Sequence, residues 1–273
     1  MSDLSHSIPQ IRPEEIAAYV RDGVVCLREV FDASWVGLIA EAVAEARQSP
    51  GRAARFWRVS PEHSEFYEEA LVSRRSEKIR RYIEDSPAAA IAAQMMRSIT
   101  ATCVYDQLFV KEPGIVKGTD WHQDAPYFPA SGEQIAVLWM PLEPLSREQT
   151  LEFARGSHAS GQLYSFATAG HGSLPLPPIP DVYAPENGYE IVTWEMNPGD
   201  ALLFHLRTFH GSRTRDGIHG RRSALSTRWV GDDARYYATD RMSTLPRGHG
   251  LKDGDRFVGP NFTQAWPRPP RHS

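Results

Sequence analysis

Apolar residues recur at helical spacing over residues 33–48, where Trp35, Leu38, Ile39, Ala42, Val43 and Ala46 share one stripe and Pro50-Gly51 ends it. A shorter helix is predicted over 13–22. Pro13 suits its first turn, Glu14 and Glu15 suit the positive end of its dipole, and Gly23 stops it. Val24 to Val30 reads as a strand, and residues 87–100 as a further helix opened by Pro87. From about residue 102 the texture changes. Short runs at 102–111, 119–124, 134–142, 151–153, 190–195, 201–206 and 222–230 read as strands. Pro113-Gly114, Ser131-Gly132, Asn197-Pro198-Gly199 and Asp216-Gly217 punctuate them. Helices followed by a run of strands predict an α+β fold with a β-sandwich or jelly-roll core.

The expected layout is a single domain over 1–273. It has a helical region at about 13–100, a core at about 102–235 and a tail at 236–273, irregular from about Pro246 and pinned by Phe257, Phe262 and Trp266. The connection 168–189 is rich in glycine and proline and long enough to act as a lid or binding loop.

Composition narrows the classes. With 41% hydrophobic and 23% charged residues the chain reads as an ordinary soluble globular protein, and a net charge of −4 gives no argument for nucleic acid or an anionic membrane. No apolar run approaches the roughly 18 residues of a membrane span. The first residues lack a basic segment followed by an apolar one, so a cytoplasmic protein is expected. Cys26 and Cys103 are too few for a disulfide framework and read as reduced thiols. Residues 51–82 carry Arg52, Arg55, Arg58, Arg74, Arg75, Arg80 and Arg81 among interleaved glutamates. An ion-paired surface is the first expectation, and a basic wall for an anionic or carboxylated substrate the second.

The sharpest chemical signal is Thr119-Asp120-Trp121-His122-Gln123-Asp124. On a strand, residues two apart share a face, so His122 and Asp124 would present an imidazole and a carboxylate side by side. A second imidazole would complete the two-histidine, one-carboxylate set that binds Fe(II) and leaves positions open. His210 supplies it, 210 − 122 = 88 residues downstream, just past the predicted strand 201–206. His205 sits within that strand and reads as a core histidine. His158 reads as part of a turn. His171, His219 and His249 neighbour glycines in presumed loops, and His6, His63 and His272 have nothing around them to suggest a site.

Activating dioxygen on such a centre needs an electron source. One large class uses 2-oxoglutarate and anchors its far carboxylate on a buried arginine, because a guanidinium matches a carboxylate in fork geometry. Arg222 opens the strand Arg222-Ser223-Ala224-Leu225-Ser226-Thr227-Arg228-Trp229 among small and apolar neighbours. Arg221 is the alternative, since a one-residue shift flips the face. Arg228 shares the face of Arg222 but lies three pleat repeats farther on.

Taken together, these residues resemble the phytanoyl-CoA dioxygenase-like (PhyH) family of Fe(II)/2-oxoglutarate oxygenases. The resemblance runs over roughly 13–235. It starts at Glu15–Val25 and continues through Trp121-His122-Gln123-Asp124-Ala125-Pro126-Tyr127-Phe128-Pro129, Ala136–Leu142 and Leu151–His158. Pro198-Gly199-Asp200, Phe209-His210-Gly211-Ser212 and Arg222–Ser226 complete it. Arg155 stands where the family commonly has proline, and Gln149-Thr150 where it often has glycine, both within one turn.

The resemblance implies a double-stranded β-helix core with helices packed on one side. It implies His122, Asp124 and His210 as iron ligands and Arg222 as the 2-oxoglutarate anchor, with Ser212, Gln107 and Trp139 near the co-substrate. It also implies conversion of 2-oxoglutarate and O2 to succinate and carbon dioxide, stimulated by ascorbate, with hydroxylation of an unactivated C–H bond in a small or medium organic substrate. Tyr127, Phe128 and Trp57 are candidates for the substrate-facing wall. A cupin-like enzyme without 2-oxoglutarate and a non-catalytic binding protein are the competing readings. Desaturation or ring formation would use the same site. Halogenation fits poorly, because Asp124 is present. The sequence leaves the oligomeric state open.

Overall fold

The computed structural model describes residues 8–58, 60–116, 118–165, 175–213, 215–218, 220–239 and 244–268. Among these the helices are α1 (Pro13–Asp22), α2 (Ala33–Gln48), α3 (Glu77–Asp85) and α4 (Ala88–Met96). The first eight strands are β1 (Val24–Leu27), β2 (Ala54–Trp57), β3 (Phe66–Ala70), β4 (Ala101–Lys111), β5 (Gly114–Val116), β6 (Thr119–His122), β7 (Ala130–Ser131) and β8 (Ile135–Pro141). After them come β9 (Glu152–Ala154), β10 (Ile191–Val192), β11 (Ala201–His205), β12 (His210–Ser212), β13 (Arg215–Ile218), β14 (Arg222–Val230), β15 (Arg235–Tyr236) and β16 (Thr263–Trp266).

Local chemistry explains the first elements. The Asp32 carboxylate accepts the backbone N–H groups of Ser34 and Trp35 at 2.9 and 3.2 Å, which caps α2. The stripe Trp35, Ile39, Ala42, Val43 and Ala46 is buried. Each large member contributes about 1.5–3 kcal/mol by leaving water. Gly23 closes α1 in the left-handed conformation at φ 76°, its N–H donating to Tyr19 at 2.8 Å.

The fold is a jelly roll of two facing antiparallel sheets. The larger has the order β1-β11-β8-β14-β4-β3-β2, with β16 beside β4, and the smaller has the order β10-β9-β12-β6. Alternation along β14 sorts its side chains. Leu225 and Trp229 point to the helices, in one core with Trp35, Ile39, Ile79 and Ile91. Ala224 and Val230 point between the sheets, in a second core with Trp139, Phe153 and Phe204. A strand buried on both faces reads as a nearly continuous apolar run, as Ile135–Pro141 on β8 does.

Several expectations need correction. Residues 51–82 are not only surface: β2 and β3 form a hairpin that extends the large sheet, and α3 follows. The alternation is hidden because Glu68 faces inward and Glu69, buried outward, pairs with Arg75. The line between helices and strands therefore does not fall at residue 100. β1 ends at Leu27, before Glu29 turns the chain at φ 51°, and α4 ends at Met96, before Arg97 at φ 52°. The strand expected at 190–195 spans only Ile191–Val192. The tail is not wholly irregular, since β16 pairs with β4.

In the described part of the long connection, residues 175–189, Ile179 and Val182 pack with Phe209 and Trp121 on the outer face of the small sheet. Residues 166–174, with His171, lie outside the described residues, as do His6, His219 and His272. The two family departures do not share one turn but flank β9: Arg155 donates to Glu190 at 2.7 Å, and Thr150 donates to the Trp194 carbonyl at 2.9 Å. Cys26 and Cys103 are both free.

The histidine within β11 is a core residue. His205 is 5% exposed and its Nδ1 accepts the Arg207 N–H at 3.1 Å. Burial, with Arg207 and His158 adding to it, pushes its imidazole from 6.5 down to about 3. The unfolded chain therefore binds the extra proton between those values. The stability gained from a neutral His205 is complete above the unfolded value of 6.5 and is lost as pH falls toward about 3. Thermal melts should show a smaller loss of Tm between about pH 7 and about pH 5 for His205→Gln than for the parent. Equal losses would contradict this.

Candidate metal centre

His122 ends β6 and His210 opens β12, and the ladder sets them directly opposite each other. Their ring centroids are 4.1 Å apart. Each Nδ1 hydrogen-bonds a backbone carbonyl two residues earlier: His122 to Asp120 at 2.8 Å and His210 to Thr208 at 3.0 Å. A carbonyl only accepts, so each Nδ1 carries the proton and each Nε2 presents a lone pair. Phe153 stacks on the His210 ring at 5.9 Å. β6 and β12 can come this close because Gly211 has no side chain. A Cβ there would lie 2.8 Å from the Thr119 carbonyl oxygen and 3.3 Å from the Trp121 Cα.

Asp124 joins them by a different route from the one expected. β6 stops at His122, and Asp124 sits in the helical region at φ −76°, ψ −32°, heading the short 3-10 turn Ala125–Tyr127. A turn, not strand alternation, brings its carboxylate round. The N–H groups of Asp124 and Ala125 both donate to the Leu206 carbonyl at 3.0 Å, which ties this turn to the chain entering β12. Gln123 is fully buried. It donates to the Arg207 carbonyl at 2.8 Å and accepts the Tyr164 N–H at 3.0 Å.

Asp124 Oδ1 lies 3.6 Å from His122 Nε2 and 4.0 Å from His210 Nε2, and the three donor atoms fall within 4.8 Å of one another. Burial lowers both imidazoles, His210 to about 3, so both are neutral at physiological pH. For Asp124 burial works upward, but Arg228, His210 and His122 outweigh it and hold the carboxyl below its usual range. Two neutral imidazoles and one ionised carboxylate, converging from adjacent elements, suit a divalent first-row metal ion with open positions on the remaining side.

Sequence reasoning missed Arg228 as part of this centre. It is 8% exposed, its Nε donates to Asp124 Oδ2 at 3.0 Å, and its Nη2 lies 2.8 Å from the same oxygen as an ion pair. The shared face with Arg222 was visible in the sequence. The contact with Asp124 was not, because it spans 104 positions.

Arg222 lies on the inner face, partly buried, with its guanidinium 5.6 Å from the Trp139 ring centroid. It has no hydrogen bond or ion pair among the described residues. Burial lowers it to about 10, with Glu143 as the opposing carboxylate. Arginine stays charged, so the shift measures how poorly this cation is compensated. Arg221 points the other way. It pairs with Glu112 at 3.1 Å and lines an open cleft of about 460 Å³ with Arg47, Arg58 and Glu65.

The remaining candidates divide. Ser212 is buried, and its hydroxyl accepts the Thr119 N–H at 2.9 Å. Gln107 donates to Glu68 at 3.2 Å, and Trp57 donates to the same carboxylate at 3.3 Å. Phe128 is a correction: it is 1% exposed and stacks on Phe257 at 6.3 Å, which makes it core. Tyr127 is also buried. In the arginine-rich stretch, Arg58 lines the open cleft beside Arg221, and others are engaged elsewhere. Arg75 pairs with Glu69, Arg74 with Asn261, and Arg80 donates to the Ser73 carbonyl.

The profile of the phytanoyl-CoA dioxygenase (PhyH) family matches residues 19–223. No curated protein matches the chain. Among solved structures, the non-heme alpha ketoglutarate dependent carbocyclase SnoK from nogalamycin biosynthesis superposes with a TM-score of 0.74 at 20% identity, covering 93% of this chain and 96% of its own. The epimerase SnoN from nogalamycin biosynthesis gives 0.72 at 23%, covering 92% and 97%. EctD from S. alaskensis with bound Fe gives 0.65 at 17%, covering 85% and 80%. Among the described residues no helix is long and apolar enough to cross a membrane.

Proposed function

Because this chain belongs to the phytanoyl-CoA dioxygenase family of iron- and 2-oxoglutarate-dependent oxygenases, we propose that it oxidises an unactivated C–H bond of a small or medium organic substrate, most simply by hydroxylation. Fe(II) is held by His122, Asp124 and His210. The observation that carries the reading is that their three donor atoms lie within 4.8 Å of one another while Arg222 is left without a hydrogen-bond or ion-pair partner among the described residues. When bound, Fe(II) and 2-oxoglutarate would supply the electrons that activate O2, the oxidant, and the co-substrate would leave as succinate and carbon dioxide.

The residues of the chain do the rest. The Asp120 and Thr208 carbonyls fix each imidazole tautomer, so Nε2 is the coordinating nitrogen. Arg222 takes the far carboxylate of 2-oxoglutarate in fork geometry, and Trp139 holds the guanidinium plane. A cupin-like enzyme without this co-substrate would leave that buried cation uncompensated, which burial penalises. Phe153 and Phe204 shield His210 from water. SnoK and SnoN are a carbocyclase and an epimerase. Ring formation and epimerisation are therefore the other outcomes such a site can give.

The test is an assay for succinate. Purified protein with Fe(II), ascorbate and oxygen should convert 2-oxoglutarate to succinate slowly even without a primary substrate. Iron-loaded protein that neither binds nor turns over 2-oxoglutarate would sink the reading.

A further inference from the structure

Arg228 stands on the inner face of β14, opposite Tyr105 on β4 and Val137 on β8. The β14–β4 register shifts directly after it, between Arg228 and Trp229. Such a bulge re-aims the side chains beside it. The guanidinium lies over the Tyr105 ring, 4.7 Å from its centroid. Both nitrogens that reach Asp124 go to the same oxygen: Nε to Oδ2 at 3.0 Å and Nη2 to Oδ2 at 2.8 Å. The other oxygen, Oδ1, is the one nearest the two imidazoles. Nη1 is buried with no hydrogen-bond partner. A buried guanidinium with an unused donor is costly, so the residue is not explained as filler.

We infer that Arg228 is a positioning residue that keeps Asp124 a one-oxygen ligand, an inference that rests on the functional reading above. A charge-assisted hydrogen bond from Nε and the ion pair with Nη2 both fall on Oδ2, so a fixed positive charge stands on that side and a cation approaches through Oδ1. Counting positions shows why this matters. Two imidazoles and one carboxylate oxygen fill half of an octahedral shell and leave three positions. A 2-oxo acid chelates through two of them, and one remains for oxygen. A carboxylate bound through both oxygens would leave one position too few.

The experiment uses Arg228→Met and Arg228→Lys in the full-length protein. Iron content is measured separately, and 2-oxoglutarate is titrated anaerobically against the charge-transfer band of the Fe(II) complex. Arg228→Met should still bind one iron per chain at saturating Fe(II), but its 2-oxoglutarate affinity should fall by about 10- to 100-fold. Arg228→Lys, which keeps the charge and one donor, should fall in between. The infrared splitting between the carboxylate stretches of Asp124 should narrow in Arg228→Met, the signature of two-oxygen binding, which a purely structural role would not produce. Unchanged co-substrate affinity in the iron-loaded variant overturns the inference, as does an unchanged splitting. Outright loss of iron also overturns it, because Arg228 would then be needed for the donor itself. If Arg228→Met does not fold, Arg228→Lys decides by the same affinity criterion. A parent protein that shows no band at all would instead overturn the iron and 2-oxoglutarate reading.

Discussion

Asp124→Ala should abolish tight Fe(II) binding and with it succinate formation, and should also destabilise the metal-free protein. The two losses have separate causes. The first is removal of the charged member of the donor set, since two neutral imidazoles on facing strands cannot balance a divalent cation. The second is independent of metal. Arg228 is 8% exposed and its ion pair is with Asp124. Removing one partner of a buried pair leaves an uncompensated charge, at about 3–5 kcal/mol. Iron titration and denaturant unfolding of the apo-protein measure the two effects. The double variant Asp124→Ala/Arg228→Met should recover stability but not iron. If the single variant is as stable as the parent, the Arg228–Asp124 pair does not have the role assigned to it.

Arg222→Leu should show the opposite sign in stability. Its guanidinium has no ion pair to lose, and burial already pulls it down to about 10, so replacing it with an apolar side chain is neutral or stabilising in the apo-protein. Its effect falls on the co-substrate. Truncating one side of a buried carboxylate–guanidinium pair costs about 2–5 kcal/mol, or roughly 30-fold or more in the 2-oxoglutarate concentration needed for half-maximal succinate release. Iron affinity should be unchanged. Arg221→Leu should leave the requirement unaltered, because Arg221 is engaged with Glu112 beside the open cleft. If Arg221→Leu raises the requirement and Arg222→Leu does not, the anchor has been assigned to the wrong residue.

Much of this could be read from one-dimensional patterns, for physical reasons that differ from element to element. The stripe of α2 is complete within 16 residues and needs no partner to be recognised. β8 carries its own apolar run. The hairpin β2–β3 was not legible. Glu68 and Glu69 sit on opposite faces, and only the fold shows that Arg75 neutralises one while Gln107 and Trp57 hold the other.

The centre shows the same division. His122, Asp124 and His210 were legible by residue type and spacing. The way they converge was not, because Asp124 is carried by a turn anchored on Leu206, far away in sequence. Arg228 could be assigned to a face but not to a partner. Phe128 was misplaced because an aromatic beside a metal motif looks the same in sequence whether it lines a cavity or packs on Phe257.

The central claim is that His122, Asp124 and His210 hold the iron. Diffraction at the iron absorption edge from crystals of the Fe(II)-loaded protein, grown without oxygen, tests it most directly. The account predicts a single anomalous peak within bonding distance of His122 Nε2, Asp124 Oδ1 and His210 Nε2, and none in crystals of Asp124→Ala. A peak elsewhere, for example between His158 and His205, or no peak in fully iron-loaded crystals, would contradict it.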